Sequence, residues 1–351
     1  QYHLLPAIAH AIYRYHEATG DDEFLFRYGA EILFEMSRFL EDRGARIPHK
    51  NNAFCLNVVC GPDEYGCGVN NNCYTNVMTQ WQLRYAAALH ERMAREAPEL
   101  LDEVCARISL GPEEPDQWRE AAEDMYVPYN ETLGIHEQDD VFLSLDPVDM
   151  RMVPRNTDIR EISHPLNLWR MQVAKQADVV LLMFVQGHQF PADVKQRNYE
   201  FYEPRTCHGS SLSACIHAVL ASELGRHEEA YDYYRESLMM DLNDFKDNTG
   251  GGVHSACLGG TWMAIVNGFA GMRDHPGGLS FDPWLPSAWN GYRFTVVYRG
   301  SRIGVEVDSD GTVFRLLEGK PVSFDASGEK VTLSDDAPVR VAARKRESVA
   351  D

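Results

Sequence analysis

The chain has 351 residues, of which 44% are hydrophobic and 25% charged, and its formal net charge is −20 because 53 acidic residues outnumber 33 basic ones. This composition is typical of a globular protein with a sizeable core, and the length favours one large domain followed by a smaller one. The acidic balance disfavours nucleic acid or an anionic membrane surface as a partner. The longest apolar run, 177–185, is interrupted by Asp178 and is too short to span a bilayer.

The start of the chain and its cysteines give two further expectations. Gln1 opens directly into a helical pattern without a methionine or a signal-peptide pattern, so we expect a fragment whose upstream part is missing. None of the eight cysteines forms a C-x-x-C pair, and several lie in apolar or helical stretches. This favours reduced, buried thiols in a cytoplasmic protein.

Paired helices dominate the chain up to Pro276. Apolar residues recur at helical spacing in six segments, which we predict as helices: 4–17, 22–40, 75–92, 211–224, 229–242 and 255–269. Four long, polar loops lie between them: 48–72, 138–165, 199–210 and 243–253. Loops of this length in a compact domain more often carry function than not.

The pattern changes near Pro276-Gly277-Gly278. Short alternating runs separated by Gly, Asp and Ser then predict five strands: 294–298, 303–307, 312–316, 321–324 and 330–333. We therefore predict a helical domain over 1–278 and a small antiparallel β-sandwich domain over 279–351, with a solvated tail from Ala342.

The densest polar motif is Gly61-Pro62-Asp63-Glu64-Tyr65, followed by the amide-rich segment 70–76. Sugar sites use this chemistry, because carboxylates and amides bind hydroxyl groups, aromatic rings cover sugar faces and one carboxyl group protonates the glycosidic oxygen. The alternative is a Gly-Pro-Asp turn that leads to a helix capped by Asn72 or Thr75.

Two loops have the composition of an anion site. Ser210 and Ser211, with a histidine nearby, precede a helix whose first N–H groups can bind phosphate, although either serine could simply cap that helix. Gly250-Gly251-Gly252 leads to His254 and then to Gly259-Gly260, so the backbone can approach a ligand closely. A glycine-rich connection with a buried histidine is the alternative reading.

Lys175 and Gln176 interrupt the apolar stretch 171–185 and need polar partners, which a hydroxylated ligand or an internal salt bridge could supply. No His, Cys, Asp and Glu residues have convincing metal-ligand spacing, so no metal is predicted.

In combination these motifs resemble glycoside hydrolase family 65, the inverting disaccharide phosphorylases, in order along nearly the whole chain. The matching segments are 1–3, 61–65, 71–76, 175–178, 206–213, 252–254, 259–262, 276–281 and 285–286. The resemblance implies an (α/α)6 barrel that lacks its first helices here, a dimer, and inorganic phosphate as co-substrate with no cofactor.

The resemblance also implies residue roles. Glu64 corresponds to the general acid. The matching sugar-binding residues are Lys175, Gln176, Gln1, His3 and Tyr65. The matching phosphate-binding residues are Ser210, Ser211, His254, Gly259 and Gly260.

The implied reaction is the phosphorolysis of an α-glucoside to β-glucose 1-phosphate. Glu64 protonates the leaving oxygen while phosphate attacks the opposite face, and because phosphate is already nucleophilic, an anion cradle replaces the second carboxylate of an inverting hydrolase. For Glu64 to act as an acid near neutral pH, its pKa must be raised by burial or by Asp63.

Two departures leave the acceptor open. Gly66-Cys67-Gly68 stands where many members carry His, Glu or Asn, and Pro6-Ala7-Ile8 replaces the usual Ala-Asp-Ile. Both places lie on the acceptor side in the family.

Two alternative functions also stay open: an inverting α-glucoside hydrolase with Glu200 or Glu203 as the base, and a catalytically incomplete carbohydrate-binding fragment.

Overall fold

The computed structural model describes residues 1–150, 159–334 and 337–343. By its internal contacts the chain divides into two compact units. Unit 1 comprises Gln1–His16, Gly20–Val148 and His164–Ala174. Unit 2 comprises Glu17–Thr19, the chain from Lys175 onward and the described residues between 149 and 163. The predicted domain boundary at 278 stays a prediction.

The described part of the chain is mainly helical. Its α-helices are α1 (Leu4–Thr19), α2 (Asp22–Phe24), α3 (Ala30–Arg43), α4 (Cys73–Glu96), α5 (Pro98–Ile108), α6 (Glu114–Glu123), α7 (Ile159–Ile162), α8 (Pro165–Leu168), α9 (Val179–Val185), α10 (Ala192–Tyr202), α11 (Ser213–Glu223), α12 (His227–Met239) and α13 (Ser255–Met263). A π-helical segment, Leu25–Gly29, joins α2 to α3, and a second, Ala264–Phe269, continues α13.

The strands of the described residues are short before residue 280 and longer after it. They are β1 (Ala45–Ile47), β2 (Ala53–Cys55), β3 (Val59–Cys60), β4 (Cys67–Val69), β5 (Asp146–Pro147), β6 (Met171–Gln172), β7 (Ser280–Phe281), β8 (Gly291–Tyr298), β9 (Ser301–Asp308), β10 (Gly311–Glu318), β11 (Val322–Ala326), β12 (Glu329–Leu333) and β13 (Val339–Ala342).

All six predicted helices are confirmed, with ends that shift by a few residues. The break after α1 has the expected cause, because Gly20 adopts a left-handed conformation (φ 69°) and its N–H donates to the carbonyl of His16. The Asp21 carboxylate then accepts the N–H of Phe24 at 2.9 Å and starts the next helix. Asn72 caps α4 by accepting the N–H of Thr75 at 2.9 Å, as one of the two sequence alternatives proposed.

The core of unit 1 lies between α3, α4 and α6. Phe34 from α3 and Trp118 from α6 are fully buried and contact each other with ring centroids 5.6 Å apart. Arg38 crosses from α3 to α6 and donates to both carboxylate oxygens of Glu114, at 2.7 and 2.9 Å. This packing fixes α4 through its residues from Leu83 to Met93, and α4 follows the polar motif at 61–65.

Helices α9 to α13 also pack together within unit 2: α9 contacts α10 and α11, and α11, α12 and α13 contact one another. A cluster of Ala214, Ala218, Tyr233, Ala264 and Phe269 joins α11, α12 and the segment after α13. This cluster fixes the beginning of α11 through Ala214 and the end of α13 through Ala264.

The five predicted C-terminal strands are confirmed as β8 to β12. A four-stranded antiparallel sheet has the order β13-β10-β9-β8, and a second sheet has the order β12-β11-β7. The two sheets share one hydrophobic cluster that includes Ile303, Phe314, Phe324 and Leu333, which is the arrangement of a sandwich. The prediction of a purely antiparallel domain is corrected, because β11 pairs with β7 in parallel.

Strand β13 was not predicted. It pairs with β10, with Val341 opposite Thr312, and ends at Ala342, where the solvated tail was expected to begin. The tail beyond Ala343 lies outside the described residues.

Candidate active site

Glu64 lies on a tight turn between two short paired strands of unit 1. Strands β3 and β4 pair antiparallel, with Cys60 opposite Cys67. These two cysteines are joined by a disulfide, with their Cα atoms 4.3 Å apart, so the prediction of reduced thiols is wrong for this pair. The pairing arises from strand register, which no cysteine spacing rule signalled. The other six cysteines are free.

Asp63 fixes the turn through hydrogen bonds. The residue is only 1% exposed, and its carboxylate accepts the N–H of Tyr65 at 3.2 Å and the side-chain amide of Gln138 at 2.9 Å. The carbonyl of Gln138 in turn accepts the N–H of Cys73 at 2.9 Å, at the start of α4. The acidic turn is therefore tied to the helix that follows it.

Glu64 itself is exposed, whereas its neighbours Asp63 and Tyr65 are buried. The burial that we expected around Glu64 is thus found around Asp63 instead. A tight turn explains the difference, because consecutive side chains leave it in different directions. An exposed position leaves the Glu64 carboxyl accessible to a substrate.

A cavity of about 260 Å³ lies beside this turn within unit 1. Tyr65, Gly66, Gln138 and Asp139 contribute to its wall. Burial raises the pKa of Asp139 to about 6, although its carboxylate accepts the N–H groups of Val141 and Phe142. The side-chain oxygen of Gln138 is buried without a hydrogen-bond partner among the described residues. Sequence reasoning did not single out Gln138 or Asp139.

His3 lies close to the same turn. Its Nδ1 donates to the carbonyl of Cys60 at 2.6 Å, and its pKa is lowered, chiefly by burial, while the negative charge of Glu64 acts in the opposite direction. Gln1 is exposed, and its carbonyl accepts the N–H of Leu4 at 3.4 Å. The structure therefore brings His3, Glu64 and Tyr65 together, and it gives Gln1 no comparable contact among the described residues.

Lys175 and Gln176 belong to unit 2. They lie half-buried in a bend that precedes α9. The carbonyl of Lys175 lies 3.9 Å from the Sγ atom of Cys207, so the bend is close to the loop that leads to Ser210.

Ser210 and Ser211 are half-buried in the turn before α11. The Ser210 hydroxyl accepts the N–H of Leu212 at 3.2 Å, which is a local turn contact. The helix α11 has Leu212 at its N-cap position and no side-chain cap, so neither serine caps it as the alternative proposed.

The histidine of this loop, His208, is a scaffold residue and not part of an anion cradle. It is buried at a positive φ of 53°, and its ring nitrogens lie 2.9 Å from the hydroxyl of Ser213 and 3.1 Å from that of Tyr233. Its carbonyl accepts the ammonium group of Lys246 at 3.1 Å. The sequence indicated a histidine near the two serines but not which groups it would bind.

His254 immediately precedes α13, and an acidic residue holds it. The Asp241 carboxylate lies 2.5 Å from Nδ1 of His254 and accepts its backbone N–H at 2.9 Å. The loop before it turns at Gly252, whose φ of 130° suits only glycine. His254 thus occupies the helix start that the glycine-rich motif predicted.

Gly259 and Gly260 lie within the helix that the sequence predicted over 255–269, and this position does not suit the phosphate-binding role that the resemblance implied. Both lie inside α13 beyond its first turn, where backbone N–H groups are used within the helix. A Cβ atom at Gly260 would lie 2.5 Å from the sulfur of Cys215, so this glycine allows α13 to approach α11 closely. We therefore leave both glycines out of the proposed phosphate site.

The two candidate bases of a hydrolase have protein partners. Glu200 accepts the guanidinium group of Arg226 at 2.6 Å, and Glu203 accepts the hydroxyl of Tyr233 at 2.9 Å. These contacts give both carboxylates structural roles in unit 2.

Within residues 1–150, 159–334 and 337–343, no group of three or more His, Cys, Asp and Glu residues could hold a metal ion. None of the helices in the same ranges has both the length and the apolar character that a bilayer crossing requires.

Comparison with known proteins gives two family matches. Residues 1–263 match the glycosyl hydrolase family 65 central catalytic domain, and residues 272–333 match the C-terminal domain of that family.

Individual proteins of known name are similar over almost the whole chain. The α,α-trehalose phosphorylase of Thermoanaerobacter brockii is 44% identical over 95% of this chain and 43% of its own length. That of Geobacillus stearothermophilus is 41% identical over 97% of this chain and 44% of its own.

A solved structure from the human microbiome, described as a kojibiose phosphorylase, is 29% identical with a TM-score of 0.86 over 96% of this chain and 44% of its own. The chain thus spans less than half the length of these relatives. It belongs to glycosyl hydrolase family 65.

Proposed function

We propose that this chain takes part in the inverting phosphorolysis of an α-glucoside, which yields β-glucose 1-phosphate and a released acceptor. Glu64 protonates the glycosidic oxygen, and inorganic phosphate attacks the anomeric carbon from the opposite face. Because two of its relatives are named α,α-trehalose phosphorylases, trehalose is the first substrate to test.

The observation that carries this proposal is the set of groups in unit 2 that could bind the attacking phosphate. His254 stands at the start of α13, where helix N–H groups and an imidazole suit an anion. Ser210 and Ser211 stand at the start of α11 in the same unit. An inverting hydrolase needs a free carboxylate for its water, but Glu200 and Glu203 are bound to Arg226 and Tyr233.

The remaining roles follow the family pattern. Lys175 and Gln176 would hold the glucosyl group, and His3, Tyr65 and Gln1 would contact substrate near Glu64. The half-buried position of Lys175 and Gln176 and the closeness of His3 to Glu64 support these roles. Phosphate would be a co-substrate, with no cofactor required.

The (α/α)6 barrel, a homodimer and a cytoplasmic location belong to the same proposal. The packing of α9 against α10 and of α11 against α12 supports a barrel of paired helices.

The test is product formation from trehalose, kojibiose, maltose and glucosylglycerol, with and without inorganic phosphate, by this chain and by any longer native form of it. We expect β-glucose 1-phosphate that forms only when phosphate is present. Glucose release without phosphate would favour the hydrolase. Binding without turnover in every form would favour a carbohydrate-binding fragment.

A further inference from the structure

Asp241 makes a two-point contact with His254 that the family motif does not include. One carboxylate oxygen lies 2.5 Å from Nδ1 of the ring, and the other accepts the backbone N–H of the same residue at 2.9 Å. Both side chains are largely covered, with 13% of the Asp241 side chain and 21% of the His254 side chain exposed. Two contacts at this range fix both the backbone of His254 and the rotation of its ring.

The contact also decides the tautomer of His254. A carboxylate only accepts hydrogen bonds, so Nδ1 must carry the proton that it shares with Asp241. The hydrogen bond from His254 lowers the pKa of Asp241, which keeps this carboxyl ionised at neutral pH. Nε2 is then the ring nitrogen available to an anion, and it donates a hydrogen bond when the ring is charged.

A second acidic residue of the same segment has a different task. Asp244 accepts the N–H groups of Asn248 and Thr249, at 2.9 and 3.0 Å, and so shapes the loop that leads to Gly252. The hydrogen bonds from Thr249 lower the pKa of the Asp244 carboxyl group. The two carboxylates are therefore not interchangeable: Asp244 shapes the loop, and Asp241 contacts the imidazole.

We propose that Asp241 is a positioning residue, which orients His254 through Nδ1 so that Nε2 meets the attacking phosphate. The proposal rests on the proposed function, because it takes His254 as a phosphate ligand. It adds a residue that would control phosphate binding without touching phosphate.

The first experiment compares Asp241→Asn with Asp247→Asn in the full chain. Asp247 is exposed in the same segment, and asparagine tolerates its φ of 50°, so this control removes the same charge without the contact to His254. We expect Asp241→Asn to raise the KM for phosphate about tenfold, as the loss of a charge-assisted hydrogen bond would, and to leave the KM for the glucoside unchanged. Asp241→Glu should recover part of the loss, and Asp247→Asn should resemble the parent.

Equal effects of Asp241→Asn on both KM values, or none on the KM for phosphate, would overturn the proposal. If instead the proposed function is wrong and His254 does not bind phosphate, His254→Gln would also leave the KM for phosphate unchanged.

A second measurement does not depend on turnover. The ¹⁵N shifts of the His254 ring, assigned by subtracting the spectrum of His254→Gln, report which nitrogen carries the proton. We expect a protonated Nδ1 in the parent and a mixture of tautomers in Asp241→Ala, which leaves no side-chain acceptor for Nδ1 at position 241. An unchanged tautomer in Asp241→Ala would refute the positioning role even if the chain is inactive.

Discussion

The Glu64 turn of unit 1 and the His254 segment of unit 2 are built in contrasting ways. The disulfide between Cys60 and Cys67 and the buried side chain of Asp63 stabilise the turn. The carboxyl group of Glu64 is exposed on it. The His254 segment is instead fixed by the contact of Asp241 with His254, which lies at the start of α13.

The difference fits the two chemical tasks proposed. A general acid needs one proton at one place, which a rigid turn can provide. An anion needs several donors and little bulk, which glycines, helix N–H groups and an oriented imidazole provide. The predictions that follow separate these two constructions.

The largest effect is expected at Glu64. Glu64→Gln removes the transferable proton, so phosphorolysis of the natural glucoside should fall about 10²- to 10⁴-fold. Because the side chain is exposed, the thermal midpoint should not change. The control is Glu131→Gln, which alters another exposed glutamate of unit 1. Activity of Glu64→Gln within tenfold of the parent would remove Glu64 from its role.

The next largest effect concerns the stability contributed by Asp139, which lines the cavity beside the Glu64 turn. Burial raises the pKa of Asp139 from 3.8 to about 6, so ionising it costs free energy in the folded state. The stability contributed by its protonated form is therefore lost as the pH rises through about 4 to 6, by up to about 3 kcal/mol. Asp139→Asn can still accept the N–H groups of Val141 and Phe142 and does not ionise.

Urea unfolding at several pH values tests this prediction. Asp139→Asn should be more stable than the parent, and by more at pH 7 than at pH 5. Glu131→Gln should show no such trend. An equal difference at both pH values would mean that Asp139 is not the titrating group.

The disulfide should contribute less, because it closes a short loop. Replacing Cys60 and Cys67 by serine should lower the free energy of unfolding by about 2 kcal/mol and make the kcat insensitive to dithiothreitol. Cys105→Ser alters a free cysteine of α5 and should leave both properties as in the parent. Titration of the unreduced, denatured chain should give six free thiols, and a count of eight would contradict the pairing.

The smallest effect is expected at Glu200. Its exposed ion pair with Arg226 should be worth less than about 1 kcal/mol, so Glu200→Gln should retain phosphorolysis and stability. Glu203→Gln should also keep phosphate-dependent turnover, because Glu203 is bound to Tyr233. Loss of a phosphate-independent glucose release in either variant would point to a catalytic base and to the hydrolase.

Sequence periodicity was a good guide to the fold wherever one face of an element is buried. It found α1, α4, α12 and the main C-terminal strands, since their apolar residues recur at the right spacing. It missed α10 because part of that helix falls in a polar stretch between 199 and 210 that reads as a loop. It missed β13, a four-residue strand that runs into the segment expected to be a solvated tail.

The sequence motifs indicated the candidate site residues, but they did not indicate the residues that hold those side chains in place. Glu64, Ser210 and His254 stand out because their neighbours are turn and helix-start residues. Gln138 and Asp241 carry no local signal, because each acts on a residue far along the chain. The pairing of Cys60 with Cys67 likewise depends on strand register.

The most direct measurement of the central claim uses α-glucosyl fluoride and phosphate, because fluoride leaves with little help from an acid. We expect Glu64→Gln to form β-glucose 1-phosphate from the fluoride at close to the parent rate and His254→Gln to remain impaired. Equal impairment of both variants on the fluoride would mean that the acid and phosphate roles are not divided between Glu64 and His254.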